Sequence, residues 1–416
     1  MNRYILFFFL FCTCNIQAQN VANYDESKVP DYILPELLRC NDGTAVTTIT
    51  QWENKRKPEL MEYFYSQEYG RTPSENINVK YQILAQNPKA LEGKATSKQI
   101  KFSFVENGKT VEAFLLLYIP NAAQGKVPVV IGYNFKGNHS TTTEEDILYS
   151  SAYKELKKND RSTWTRGEQT NRWSYDRIID RGYAVATMWY EDIYPDRPGF
   201  EERSIAALFS DYEANVDKPD KWQAIGAWAW GLSRIADYLE TEEKIDSEKM
   251  AIMGHSRQGK ATLWAGVQDE HFKVVISNNS GCGGAALAKR VYGENIAIIT
   301  KAFPHWFCPA FSRYAGKEAE LPFDQHQLIA LIAPRSVYVA SAVDDQWADP
   351  KGEFLSAYHA GPVYQLYGLK TLESDTLPAI DKPVVTPSVG YHIRTGGHDV
   401  KDYDWEKFLD FCDLNF

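Results

Sequence analysis

The sequence predicts an α/β fold: a mainly parallel sheet with helices on both faces, a three-layer sandwich. Three observations carry that prediction. Short apolar runs alternate with helical stretches along most of the chain, a serine stands at a strand-to-helix corner, and the composition is that of a globular protein. Charged residues are 24% and hydrophobic residues 44% of the 416, which excludes a disordered or fibrous chain. A net charge of −10 argues against nucleic acid as a partner.

Residues 1–19 carry Arg3 as their one charge, then an apolar run from Tyr4 to Cys14 and the small Ala18, the pattern of an export signal peptide. That run is shorter than the roughly 20 residues a spanning helix needs. No later segment is long and apolar enough to replace it, so no membrane span is expected and the mature protein is expected in the periplasm or outside the cell. A lipid anchor on Cys12 or Cys14 would want a small residue where Phe11 and Thr13 stand. Cys40, Cys282, Cys308 and Cys412 could pair in an oxidising compartment in three complete ways, and spacing does not choose among them. Their spacings match no zinc motif and H-E-x-x-H is absent, so neither a metal nor a cofactor is expected.

Residues 20–416 read as a single domain whose lead-in, 20–95, holds a helix near 51–67 and a strand near 79–85. Apolar runs then alternate with helical stretches over 111–118, 127–133, 184–189, 227–239, 250–253, 274–277 and 336–342, with a final helix over 403–414. Two irregular segments, 139–173 and 361–389, are expected near the C-terminal ends of strands, where open α/β sheets bind ligands. Gly281-Cys-Gly283-Gly-Ala-Ala286 imitates a dinucleotide fingerprint, but no acidic residue ends a second strand at the distance a ribose requires. Its glycines are read instead as letting a helix pack closely on the helix after the serine.

The chemistry centres on that serine. Apolar 250–253 leads into Gly254, which permits a tight turn, and Ser256 at the corner presents its Oγ above the sheet edge. The general pattern is G-x-S-x-G; here Gln258 holds the last glycine position and Gly259 follows it. A hydroxyl needs a base at neutral pH. His398, in Arg394-Thr-Gly-Gly-His398, sits on a glycine-rich loop before the final helix, where the chain order serine, acid, histidine puts the base. The backbone N–H of Arg257 is the first oxyanion donor. Lys260 lies four residues beyond Ser256, on the same side of its helix.

Gly-x-Ser-Arg-x-Gly-Lys over 254–260 resembles the motif of the glucuronoyl esterases, carbohydrate esterase family 15. Further segments agree in order: Asn134-Phe-Lys-Gly-Asn138-His, Arg181-Gly-Tyr-Ala-Val-Ala-Thr187, Asp192-Ile-Tyr-Pro-Asp196, Phe303-Pro-His-Trp-Phe-Cys308 and Gly390-Tyr-His-Ile-Arg394. The resemblance implies an α/β-hydrolase fold. It also implies a serine esterase acting on esters of (4-O-methyl-)glucuronic acid, as in the lignin–carbohydrate linkages of glucuronoxylan, through an acyl-enzyme.

Many members carry the acid as Glu in Ser-Asn-Glu-Ser-Gly, but this chain has Ser277-Asn-Asn279-Ser-Gly281. The alternative acid site of bacterial members is matched by Asp345, with Asp344 as its substitute. The resemblance further assigns the Arg257 guanidinium to the oxyanion, and Lys260, Glu294 and Trp347 to the sugar. Fungal members carry cysteines immediately before the serine and after the histidine; His255 and Asp399 stand there, so the bacterial type is the closer match. Two rivals remain: an acetyl-xylan or other carbohydrate esterase on the same fold, and a non-catalytic sugar-binding relative. A monomer is expected.

Overall fold

Val129 and Ile131 pack into one hydrophobic core while Val130 packs into another, and the same alternation separates Ile252 from Ala251 and Met253. Period-two side chains buried on both sides require a sheet with a layer on each face. The computed structural model describes residues 21–153, 164–210, 212 and 217–416; the expected export leader lies outside them.

The strands are β1 (Asn78–Ala90), β2 (Ala95–Glu106), β3 (Lys109–Pro120), β4 (Val127–Asn134), β5 (Ala184–Trp189), β6 (Ile245–His255), β7 (Phe272–Asn278), β8 (Ser336–Ala342), β9 (Val384–Val385) and β10 (Val389–Arg394). They form one sheet in the order β1-β2-β3-β5-β4-β6-β7-β8-β10-β9. From β5 to β10 the neighbours run parallel, and antiparallel strands close both edges. The lead-in therefore contributes more than packing: β1 pairs with β2 at one edge of the sheet.

The helices that matter for the site are α1 (Lys57–Gln67), α2 (Ala224–Glu240), α3 (Arg257–Gln268), α4 (Pro350–His359) and α5 (Asp402–Asn415). Leu232 and Ile235 of α2, Leu263 and Trp264 of α3 and Phe354 of α4 fill one core; Trp405 and Phe408 of α5 fill the other. Full burial of each such side chain is worth about 2 kcal/mol. The helix expected over 51–67 is α1 preceded by a wider π turn, Trp52–Arg56.

Two expectations change. Strand β10 was not among the apolar runs because it buries His392 and Arg394, whose ring and guanidinium both bond to Asp404 at 2.8–2.9 Å. Paired in this way, polar groups can occupy a fully buried strand. Segment 361–389 reaches both ends of β10: Ser388 O accepts from Val337 N at the beginning of β8, while Asp381 N donates to Ile393 O at 2.8 Å and the Asp381 carboxylate accepts from Thr395 N at 3.0 Å at the C-terminal end. Segment 139–173 does reach the serine, through Glu168, Gln169, Asn171 and Arg172. The glycines of 281–286 form turns and open no helix; a Cβ on Gly283 would stand 2.4 Å from the Phe307 ring. Cys40, Cys282, Cys308 and Cys412 are free and buried.

Candidate active site

Ser256 occupies the junction of β6 and α3 with φ 59° and ψ −130°. A positive φ on a non-glycine residue costs about 1–3 kcal/mol and is retained where the surroundings enforce it. Two glycines make the corner possible. A Cβ on Gly254 would lie 2.1 Å from Gln258 O, and one on Gly259 would lie 2.8 Å from Ser280 Cβ. The close approach needing a glycine after the serine falls at 259, which is why Gln258 is tolerated one place earlier. Ser256 N donates to Asn278 O at 2.9 Å, fastening the corner to β7.

His398 lies on the turn between β10 and α5. Its Nδ1 is 2.6 Å from Asp345 Oδ2, with the histidine side chain 41% exposed and the aspartate 4%. A carboxylate accepts, so Nδ1 carries the hydrogen and Nε2 is left with its lone pair. Ser256, Arg257 and His398 line one cleft of about 430 Å³ together with Phe135 and Lys136. Ser256 Oγ and His398 are not hydrogen-bonded here, and such contacts are commonly loose before substrate is bound. Asp345 contacts His398, whereas Asp344 is exposed. A second cavity of about 430 Å³, between Tyr65, Phe209 and Trp222, contains none of these groups.

Asn279 keeps a place in this circuit. Its Nδ2 donates to Asp345 Oδ2 at 2.7 Å, so the amide orients the acid. Beneath both, buried Glu353 of α4 accepts from Ser280 N at 2.7 Å and Gly281 N at 3.0 Å and shares a 2.6 Å hydrogen bond with Ser341 Oγ. Burial pushes its carboxyl up to about 8.

The Arg257 guanidinium packs 4.6 Å over the Trp306 ring and forms an ion pair with Asp196. Asp196 also accepts from His305 Nε2 at 2.9 Å, Trp306 Nε1 at 2.7 Å and Tyr190 OH at 2.7 Å. Burial raises the Asp196 carboxyl, but the His305 hydrogen bond, the Arg257 charge and the Trp306 and Tyr190 bonds outweigh it and hold it below the usual carboxylate range. Asp196, His305 and Trp306 show no local sign of this cluster in the sequence, because Asp196 meets His305 and Trp306 across 109 and 110 residues.

Lys260 is buried, and its ammonium has three protein acceptors nearby: Ser280 O, Cys282 O at 2.6 Å and Glu294 Oε2 at 3.9 Å. A direct bond from Lys260 to a sugar would displace one of these. Burial lowers the lysine and raises Glu294. The Lys260 charge, a hydrogen bond from Trp347 and the Arg257 charge favour the ionised glutamate. Glu294 N donates to Trp347 O at 2.9 Å, and a Cβ on Gly293 would stand 2.4 Å from that oxygen. The carboxylate and the 41% exposed Trp347 are thereby held side by side. A carboxylate beside an exposed aromatic face suits a sugar, with its hydroxyl rim and apolar ring face.

Comparison with known proteins identifies the relatives of this chain. The family model described as glucuronyl esterase of fungi matches residues 180–368. A carbohydrate esterase from an unknown prokaryotic organism is 42% identical over 397 residues, 94% of this chain and 91% of that one. A glucuronoyl esterase from Solibacter usitatus superimposes with a TM-score of 0.87 at 40% identity, covering 94% of this chain and all of its own. A structure described as a promiscuous family 15 carbohydrate esterase from a marine bacterial metagenome gives 0.86 at 41%, covering 95% and 100%.

Proposed function

The chain belongs to the glucuronoyl esterases of carbohydrate esterase family 15, and we propose that it hydrolyses glucuronic acid esters with Ser256, His398 and Asp345. The observation that carries the reading is the 2.6 Å contact of His398 Nδ1 with buried Asp345, in a cleft shared with a serine at positive φ. Ser256 Oγ attacks the ester carbonyl while His398 Nε2 takes its proton, and Asp345 stabilises the imidazolium. The Arg257 N–H and guanidinium receive the oxyanion. His398 then protonates the departing alcohol, and water, activated by the same histidine, releases the uronate. Glu294 and Trp347 hold the sugar, and Lys260 supports Glu294 from behind.

The proposed natural substrate is a lignin–carbohydrate ester of glucuronoxylan, met by a monomer of one catalytic domain, 20–416, after export through residues 1–19. Comparing hydrolysis of benzyl glucuronate with acetate release from acetylated xylan tests the acyl specificity. Preference for acetate would reject the uronate assignment. A broader esterase is the second reading, favoured by the promiscuous description of the metagenomic relative; comparable rates on both substrates would support it.

A further inference from the structure

Asn278, the last residue of β7, is fully buried, and its one side-chain nitrogen makes two hydrogen bonds. Nδ2 donates to His255 Nδ1 at 3.0 Å and to Asp399 O at 3.0 Å. His255 immediately precedes Ser256, and Asp399 immediately follows His398. The backbone oxygen of the same asparagine accepts from Ser256 N at 2.9 Å. One residue thus touches the nucleophile's corner twice and the base-bearing loop once.

The amide orientation follows from its partners. Asp399 O can only accept, so a flipped Asn278 would set two oxygens against each other. Nδ2 therefore faces both acceptors, and His255 presents an unprotonated Nδ1. Asn278 Oδ1 and His255 Nε2 are buried without a partner, so no other hydrogen bond fixes the amide's orientation. The neutral His255 ring then lies 4.4 Å from the His398 ring, filling the space beneath the base without placing a cation there.

We infer that Asn278 is a positioning residue for acyl transfer, its amide clamping the loop of His398 to the strand of Ser256. This rests on the proposed serine mechanism. Displacing a catalytic pair by about 1 Å can cost about 10² in rate, so the clamp acts on kcat more than on KM.

The test uses Asn278→Val and the nearly isosteric Asn278→Asp, whose carboxylate cannot donate to Asp399 O. Each is assayed on benzyl glucuronate and for the rate at which phenylmethylsulfonyl fluoride modifies Ser256. Expected is a fall of about 10² in kcat, with a parallel fall in sulfonylation and little change in KM. If Asn278→Val does not fold, Asn278→Asp and its sulfonylation rate decide. A folded variant with kcat and sulfonylation at the parent's values would overturn the inference. A parent inert toward the glucuronate ester but sulfonylated faster than its variants would reject the substrate assignment and leave the clamp standing.

Discussion

Asn279 Nδ2 and His398 Nδ1 meet the same oxygen of Asp345, at 2.7 Å and 2.6 Å. At 279 this chain places a donor directed at the carboxylate that sits in the loop after β8. A second acid at 279 would repel Asp345, whereas the amide fixes its rotation and leaves the charge facing the imidazole.

Asp345→Asn should therefore lower kcat by about 10⁴ with KM little changed, because an amide can orient the histidine but cannot stabilise its charged form. Asp344→Asn, on an exposed side chain, should stay within about twofold. Steady-state kinetics on benzyl glucuronate check both, and the reverse pattern would move the acid to 344.

The Arg257 guanidinium is held by Asp196, so Asp196→Asn should reduce kcat by about 10², more than it changes KM. The same variant tests linkage. Since the folded carboxyl lies below its ordinary value of about 3.9, its stabilisation is present above that pH and is lost as pH falls below it. Between pH 5 and pH 3 the parent's urea midpoint should drop further than the variant's; equal drops would remove Asp196 from the account.

Lys260→Met should cost about 3 kcal/mol of stability, since Ser280 O, Cys282 O and Glu294 lose a buried cation. Denaturant midpoints measure this. An unchanged midpoint with a raised KM would instead return Lys260 to direct contact with the sugar.

Glu353 works in the opposite sense from Asp196. Burial holds its carboxyl up at about 8, so the folded state binds more protons than the unfolded one between the ordinary glutamate value of about 4.3 and that point. Its contribution is complete below the lower value and declines as pH rises to the upper one. Glu353→Gln should flatten the fall in melting temperature between pH 5 and pH 8; an identical pH dependence in parent and variant would contradict the assignment.

Much of this was legible in the chain. Ser256 could be placed because a glycine-flanked corner after an apolar strand has few other uses, and His398 because its loop follows in the right order. Strands β5 and β8 match their apolar runs residue for residue, since both are buried on two faces. What escaped depended on distant partners. Strand β10 looks polar until Asp404 neutralises it, and Asp196 looks like a loop acid until Arg257, His305 and Trp306 surround it. The two bonds of Asn278 join residues 23 positions earlier and 121 later, beyond any periodicity.

The most direct test is acid-quenched mass spectrometry of the enzyme during turnover of benzyl glucuronate, with peptide mapping. The account predicts one glucuronoyl group esterified to the peptide bearing Ser256, formed in the parent and absent from Ser256→Ala, which no longer turns the ester over. Turnover that survives in Ser256→Ala, or a glucuronoyl group mapped to any other residue, would contradict it.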